Sequence, residues 1–108
     1  MRERFVRSTP RGVLVYEQPS GRRPFETWFF GIQDQVTAGR VLTRLSRVEQ
    51  GNLGDVKNLG EGLHEMRLAF GVGYRIYFAF VGETMIVLLS GGDKGSQNRD
   101  IQQARSFL

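Results

Sequence analysis

Three consecutive runs, LHEMRLAF (63–70), YRIYFAFV (74–81) and TMIVLLS (84–90), carry a period of two, and only GVG and GE separate them. Connections that short allow only antiparallel pairing, because a parallel return needs a crossover of about a dozen residues or more. A meander of three strands is therefore the most constrained part of the chain. Its alternation also sorts the side chains by face. His64, Met66, Leu68 and Phe70 fall on one side of the first run, Glu65 and Arg67 on the other. In the next, Ile76, Phe78 and Phe80 are the core face, which sends Arg75 and Tyr77 the opposite way. Across the hairpin, Arg67, Arg75, Tyr77 and Glu65 become neighbours on a face expected to be open.

The rest of the chain reads as the partner of that sheet. VLVYEQ (13–18) has the β-branched and aromatic content of a strand, and PSGRRP is a loop ending on Pro24, suited to a first helical turn. Phe25, Trp28, Phe29 and Ile32 recur at helical spacing and predict a short helix with an aromatic face. Asp34 is placed to cap a second helix whose Ala38, Leu42, Leu45 and Val48 form an inward stripe, with Gly51-Asn52 ending it. Arg40, Arg44 and Arg47 share another face of that helix; the plainer reading of this set is a solvated surface. From Ser96 onward, Ile101, Ala104 and Leu108 predict a final helix. The expected fold is α+β, a small curved antiparallel sheet with helices on one face, in the order β-α-α-β-β-β-α. Phe25, Trp28, Phe29, Leu42, Leu45, Ile76, Phe78 and Val87 are its expected core.

Composition narrows the chemistry. The chain has 108 residues, enough for one modest core, and no cysteine, which excludes disulfides and thiolate metal sites. Its single histidine, His64, makes a histidine-rich zinc site or a Ser-His-Asp triad hard to build. On the apolar side of its strand, His64 reads as a packed histidine at the core edge. No metal or cofactor is expected. No apolar run is long enough for a bilayer, and MRERFVRSTPRG lacks a signal-peptide core, so the chain reads as cytoplasmic, with no membrane contact. The net charge is +4. Six Arg against two Glu in residues 1–23 account for it, while nine basic and nine acidic residues cancel in 24–108. Residues 1–12 form a basic arm and residues 13–108 the domain.

Lysine is scarce, with only Lys57 and Lys94 among fifteen basic side chains. Lys94 follows the strand exit LLSGGDKGSQ, where Gly91-Gly92 is read as a flexible exit that lets the lysine reach back toward the arginines. The spacing of a phosphate-binding P-loop is absent. The plainer reading of Arg67, Arg75 and Glu65 is a solvated face with an ordinary ion pair, which contributes little stability.

PFETWF, RLSRVEQGNLGDVKNLGEGLHEMRLAFGVGYRIYF and LLSGGDKGSQNRDIQQA together resemble the phage-derived, HigB-type toxins of the RelE superfamily. The resemblance runs from about residue 13 to the C-terminus, and GNLGDVK, GYRIYF and GGDKGSQ are its most specific parts. It implies the toxin of a type II toxin–antitoxin module, a ribosome-dependent mRNA endonuclease that inhibits translation. A cognate antitoxin, often a helix-turn-helix protein encoded alongside, would hold it inactive; a homodimer and a toxin–antitoxin hetero-oligomer are both open. Carried over by position, Arg75 matches an arginine on the scissile phosphate and Arg67 a basic residue of the preceding strand. Lys94 matches the basic residue after the last core strand, and Lys57 one in the loop before the meander. These four are the catalytic candidates; Tyr77, Glu65, Gln97 and Arg44 are the substrate-binding ones. One departure stands out: where RelE stacks a C-terminal tyrosine on a base, this chain has a residue near Asp100, so stacking would fall to Tyr77 or another aromatic.

RNA supplies its own 2′-hydroxyl nucleophile, so two arginines gripping the phosphate and a proton carrier suffice without a metal. Lys57, Lys94 and Glu65 are each open as that carrier. Two other readings compete: a toxin of the same fold that binds a protein target such as gyrase without cutting RNA, and an inactive phage-derived antitoxin-binding protein.

Overall fold

The turns make the central hairpins. Gly71, Gly73 and Gly82 take φ of 58°, 78° and 63°, left-handed values that glycine adopts without a Cβ penalty. They join β3 (Leu63–Leu68), β4 (Tyr74–Val81) and β5 (Met85–Gly92) into the expected antiparallel meander. Met66 stands opposite Ile76 and Arg67 opposite Arg75, so the faces fall as alternation requires. The computed structural model describes residues 10–108. Most of the basic arm, residues 1–9, lies outside these. Arg11 belongs to the domain: its Nη1 donates to the Glu83 carbonyl at 3.2 Å, and its guanidinium lies 5.2 Å from the Phe80 ring centre.

Two strands extend the meander: one falls at the strand expected over 13–18, though in a parallel place that was not expected, and the other was not expected at all. β2 (Val56–Gly60) pairs antiparallel with β3, where the sequence predicts a loop carrying Lys57. Its burial shows no apolar alternation, because it is a short edge strand. β1 (Gly12–Val15) joins the far edge parallel to β5, with Val13 opposite Ile86. The sheet therefore has five strands in the order β1-β5-β4-β3-β2 and is mixed rather than antiparallel. A pairing between residues so far apart in the chain leaves no periodic trace.

Helices α1 (Pro24–Phe30) and α2 (Gln35–Glu49) cover one face. Pro24 begins α1; Asp34 caps α2, accepting from the Val36 amide at 3.2 Å and the Thr37 hydroxyl at 2.7 Å. On that face Phe25, Val41, Val48, Met66, Ile76, Phe78, Ile86 and Leu88 form an apolar core. The inward stripe of α2 keeps Leu45 and Val48 as expected, but Thr37 and Val41 are buried in its first half, while Leu42 is 54 % exposed. Arg44 of the same helix is drawn inward by backbone carbonyls. Phe80, expected in the core, sits at its exposed edge.

The largest correction concerns the second face. After a 3₁₀ turn at Lys94–Ser96, α3 (Gln97–Ser106) lies across it, so helices cover both sides of the sheet. Ala104 packs there against Leu63, Tyr77, Ala79 and Leu89. Tyr77 and Glu65 are fully buried where the sequence places them on an open face.

Candidate functional site

Under the start of α3 the strands present two polar rows. Lys57, Glu65, Tyr77 and Ser90 stand side by side across β2, β3, β4 and β5; Arg67, Arg75 and Gly92 form the adjacent row. Glu65 is the hub. Its carboxylate accepts from Arg67 Nε at 3.1 Å and from Gln97 Nε2 at 2.8 Å, and lies 3.8 Å from Arg75 Nε. A charge taken wholly out of water needs such partners; in return it fixes Arg67 by a hydrogen bond and draws Arg75 by a longer ion pair, in which the Arg75 Nε makes no hydrogen bond. The Arg67 side chain stays 36 % exposed and that of Arg75 14 % exposed. Both reach the surface at an open groove of about 650 Å³, bordered also by Asp55, Phe70, Gly73 and Lys94. The turn at Gly73 passes so close that a Cβ there would lie 3.3 Å from Arg75 Nη1 and 3.4 Å from Lys94 Cβ.

Arg67, Arg75 and Lys94, from three segments, thus meet at one groove. Glu65 does not meet substrate there; buried and engaged, it is an anchor. Gln97 has the same supporting place, since its amide is committed to Glu65. Lys57 is exposed on the edge strand beside Glu65 and does not border the groove. Arg44 lies behind the groove, with its guanidinium spent on the carbonyls of Leu53 at 3.0 Å, Asp55 at 2.8 Å and Arg67. Burial lowers its pKa from the ordinary arginine value. It braces the loop before β2 against β3 and is not free to bind a substrate.

Tyr77 cannot stack on a base. Its ring is buried under α3, and its hydroxyl, like that of Ser90, makes no hydrogen bond of good geometry, though the Glu65 carboxylate lies near enough to act on it. Burial first, then the carboxylates of Glu65 and Asp100, raise its pKa above the ordinary tyrosine value. Asp100, itself buried, accepts a hydrogen bond from the Ser96 hydroxyl and closes this polar layer. His64 is on the other face, 5.5 Å from the Phe78 ring and 4.8 Å from that of Phe80; burial lowers its pKa. It is the packed edge histidine expected.

Gly91 and Gly92 serve a purpose other than flexibility. Neither has a positive φ. A Cβ on Gly91 would lie 2.2 Å from Trp28 Cε3, and one on Gly92 would lie 1.8 Å from Asp100 Oδ2. One glycine admits the indole on the apolar face, the other the carboxylate on the polar face. Lys94 then sits on the turn that follows, with Asp93 capping it through the Ser96 amide at 3.1 Å.

Asp55 and Phe70 also border the groove and were not among the expected site residues. Asp55 stands in the GDVK block, but no alternation marks a residue before an edge strand. Among the described residues, no group of three or more His, Cys, Asp or Glu side chains is placed to share a metal ion. No described helix is long and apolar enough to cross a membrane.

The fold and groove define a small α+β protein with convergent arginines on a braced sheet end. No family model matches the chain. It belongs to one family with a Haemophilus influenzae protein described as an "Uncharacterized protein", 35 % identical over 81 residues, 75 % of this chain and 82 % of that protein.

Proposed function

We propose that this protein is an endoribonuclease that cuts mRNA on the ribosome, the toxin of a type II toxin–antitoxin module with a RelE-like fold. The observation that carries the reading is the meeting of Arg67, Arg75 and Lys94 at one groove, with both arginines tied to a buried carboxylate. Held guanidiniums are preorganised: they stabilise charge developing on a phosphate without first having to be ordered. The three-strand meander preceded by a helix pair also supports a RelE-like arrangement, to which β2 adds an edge strand.

In the reaction the RNA 2′-oxygen attacks the adjacent phosphorus, and the 5′-oxygen of the next nucleotide leaves. Arg67 and Arg75 grip the non-bridging oxygens as negative charge builds. The Lys94 ammonium, exposed at the rim, donates a proton to the departing oxygen. Asp55, the carboxylate bordering the groove, accepts the 2′-hydroxyl proton. Lys57 stands off the groove and takes no part. The chemistry needs no metal, because nucleophile and leaving group belong to the substrate. The protein acts in the cytoplasm, and a cognate antitoxin restrains it.

The test is inducible expression with mapping of mRNA 5′ ends on ribosomes. The wild type is expected to arrest growth and to produce new ends at the decoding site; Lys94→Ala, which disturbs only an exposed side chain, should lose most of both. Growth arrest without cleavage by wild type, or undiminished arrest by folded Arg75→Ala and Lys94→Ala, would replace this reading with a protein target.

A further inference from the structure

With Tyr77 buried, base stacking has to come from elsewhere, and the groove has an aromatic at its rim. Phe70 borders it together with Ala69, and the same two residues border a second depression of about 340 Å³. That depression is lined on its other side by Arg40, Thr43 and Arg47 of α2. The two therefore adjoin at Ala69 and Phe70. The Arg40 guanidinium lies over the Phe70 ring, 4.9 Å from its centre, so the outer side of this stack is a cationic shelf between the two depressions. Arg40 and Arg47 are exposed, and no ion pair engages either among the described residues. Asp55 is the one carboxylate bordering either depression.

We infer that the Arg40–Phe70 shelf and Arg47 bind the single-stranded RNA that flanks the cleaved bond, extending the site along α2. This rests on the ribonuclease reading. An aromatic ring and an arginine plane both accept a base face, and this stacking tolerates any sequence. Arg40, through the edge of its guanidinium, and Arg47 beyond the shelf match the next phosphates. Arg44 serves the shelf differently: fixed by its three carbonyls, it holds α2 against the end of β3 and so sets where Arg40 and Arg47 stand.

The experiment uses the full chain and two uncleavable 2′-O-methyl RNAs sharing one central sequence, about three and about twelve nucleotides long, with affinity measured by fluorescence anisotropy at several salt concentrations. Each phosphate contact to a single strand adds about 0.7 to the slope of log affinity against log salt. An Arg40→Gln/Arg47→Gln double variant should therefore lower the slope for the long RNA by about 1.4 and leave the short RNA unchanged. Between about 50 and 200 mM salt, its affinity for the long RNA should then fall about sevenfold less than that of wild type. Phe70→Leu, which keeps an apolar side chain against Tyr74, should weaken the long RNA roughly fivefold or more at unchanged slope. An unchanged slope in the double variant, with wild type binding the long RNA, overturns the shelf alone. Failure of wild type to bind the long RNA more tightly than the short one also overturns the shelf, while the ribonuclease reading stands or falls separately on the mapping of mRNA 5′ ends on ribosomes.

Discussion

The two faces of the sheet are built on opposite principles. Beneath α1 and α2 lies an apolar core in which Val41, Val48, Met66, Ile76, Phe78 and Ile86 are each fully buried. Between α3 and the sheet, Glu65, Tyr77, Ser90 and the helix's own Asp100 are buried too, beside a smaller apolar cluster. The first face accounts for why the chain folds. The second accepts a desolvated carboxylate, costly unless paired, and gains from it two arginines drawn to a groove. Stability and function are divided between the sides of one strand: Ile76 and Phe78 point one way, Arg75 and Tyr77 the other.

Truncating each side tests that division. Phe78→Ala should cost roughly 3–5 kcal/mol, read from the midpoint of urea unfolding at unchanged slope. Arg75→Ala should lower ribosome-dependent cleavage roughly 10²–10³-fold, the scale for losing one preorganised charge-stabilising donor. Its cost in stability should be clearly smaller than that of Phe78→Ala, because Glu65 keeps Arg67 and Gln97 as partners. Arg75→Lys should recover part of the rate, since an ammonium lacks the planar two-point grip. A stability loss for Arg75→Ala equal to that of Phe78→Ala would show that the polar face carries the fold as well.

The glycine pair at the end of β5 compares the faces one residue apart. Gly91→Ala collides with Trp28 on the apolar side and Gly92→Ala with Asp100 on the polar side. Each should cost about 1–3 kcal/mol in overpacking, measured by thermal or urea unfolding. Gly92→Ala should in addition slow cleavage, because displacing Asp100 and Ser96 moves the start of α3, where Gln97 holds Glu65. Equal activity in the two variants at equal stability would break the link between α3 and the groove.

The apolar face was legible because alternation is a local signal. Met66, Leu68, Ile76 and Phe78 follow from period two, and the same logic brings Arg67 and Arg75 together. What failed was non-local. The parallel pairing of Gly12–Val15 with β5 and the burial of Tyr77 under α3 depend on segments far apart in the chain. Alternation says which residues share a face, but not whether a helix covers it. Arg44 shows the same limit: it falls on a helix face with Arg40 and Arg47, yet three carbonyls it cannot anticipate from sequence draw it inward. Gly91-Gly92 looked like flexibility because a glycine pair carries no record of what crosses it.

Tyr77→Phe asks how the polar face tolerates a buried hydroxyl without a hydrogen bond of good geometry. Such a group costs desolvation and returns no hydrogen bond, so its removal should leave stability unchanged or raise it by up to about 1 kcal/mol at neutral pH. The pH dependence has a definite sign. Burial and the Glu65 and Asp100 carboxylates raise the folded-state pKa, so above the ordinary tyrosine value of about 10 the unfolded chain loses this proton while the folded chain keeps it. The unfolded state then binds fewer protons, and wild-type stability falls as pH rises past that value. The variant lacks this component, so the difference between the two proteins should be flat from pH 7 to about 9 and widen in favour of Tyr77→Phe above about 10. Cleavage should stay at the wild-type level, because a ring sealed under α3 touches no substrate. If Tyr77→Phe instead loses more than about 1 kcal/mol at neutral pH, the hydroxyl is bonded within the polar layer, and that face is as fully satisfied as the apolar one.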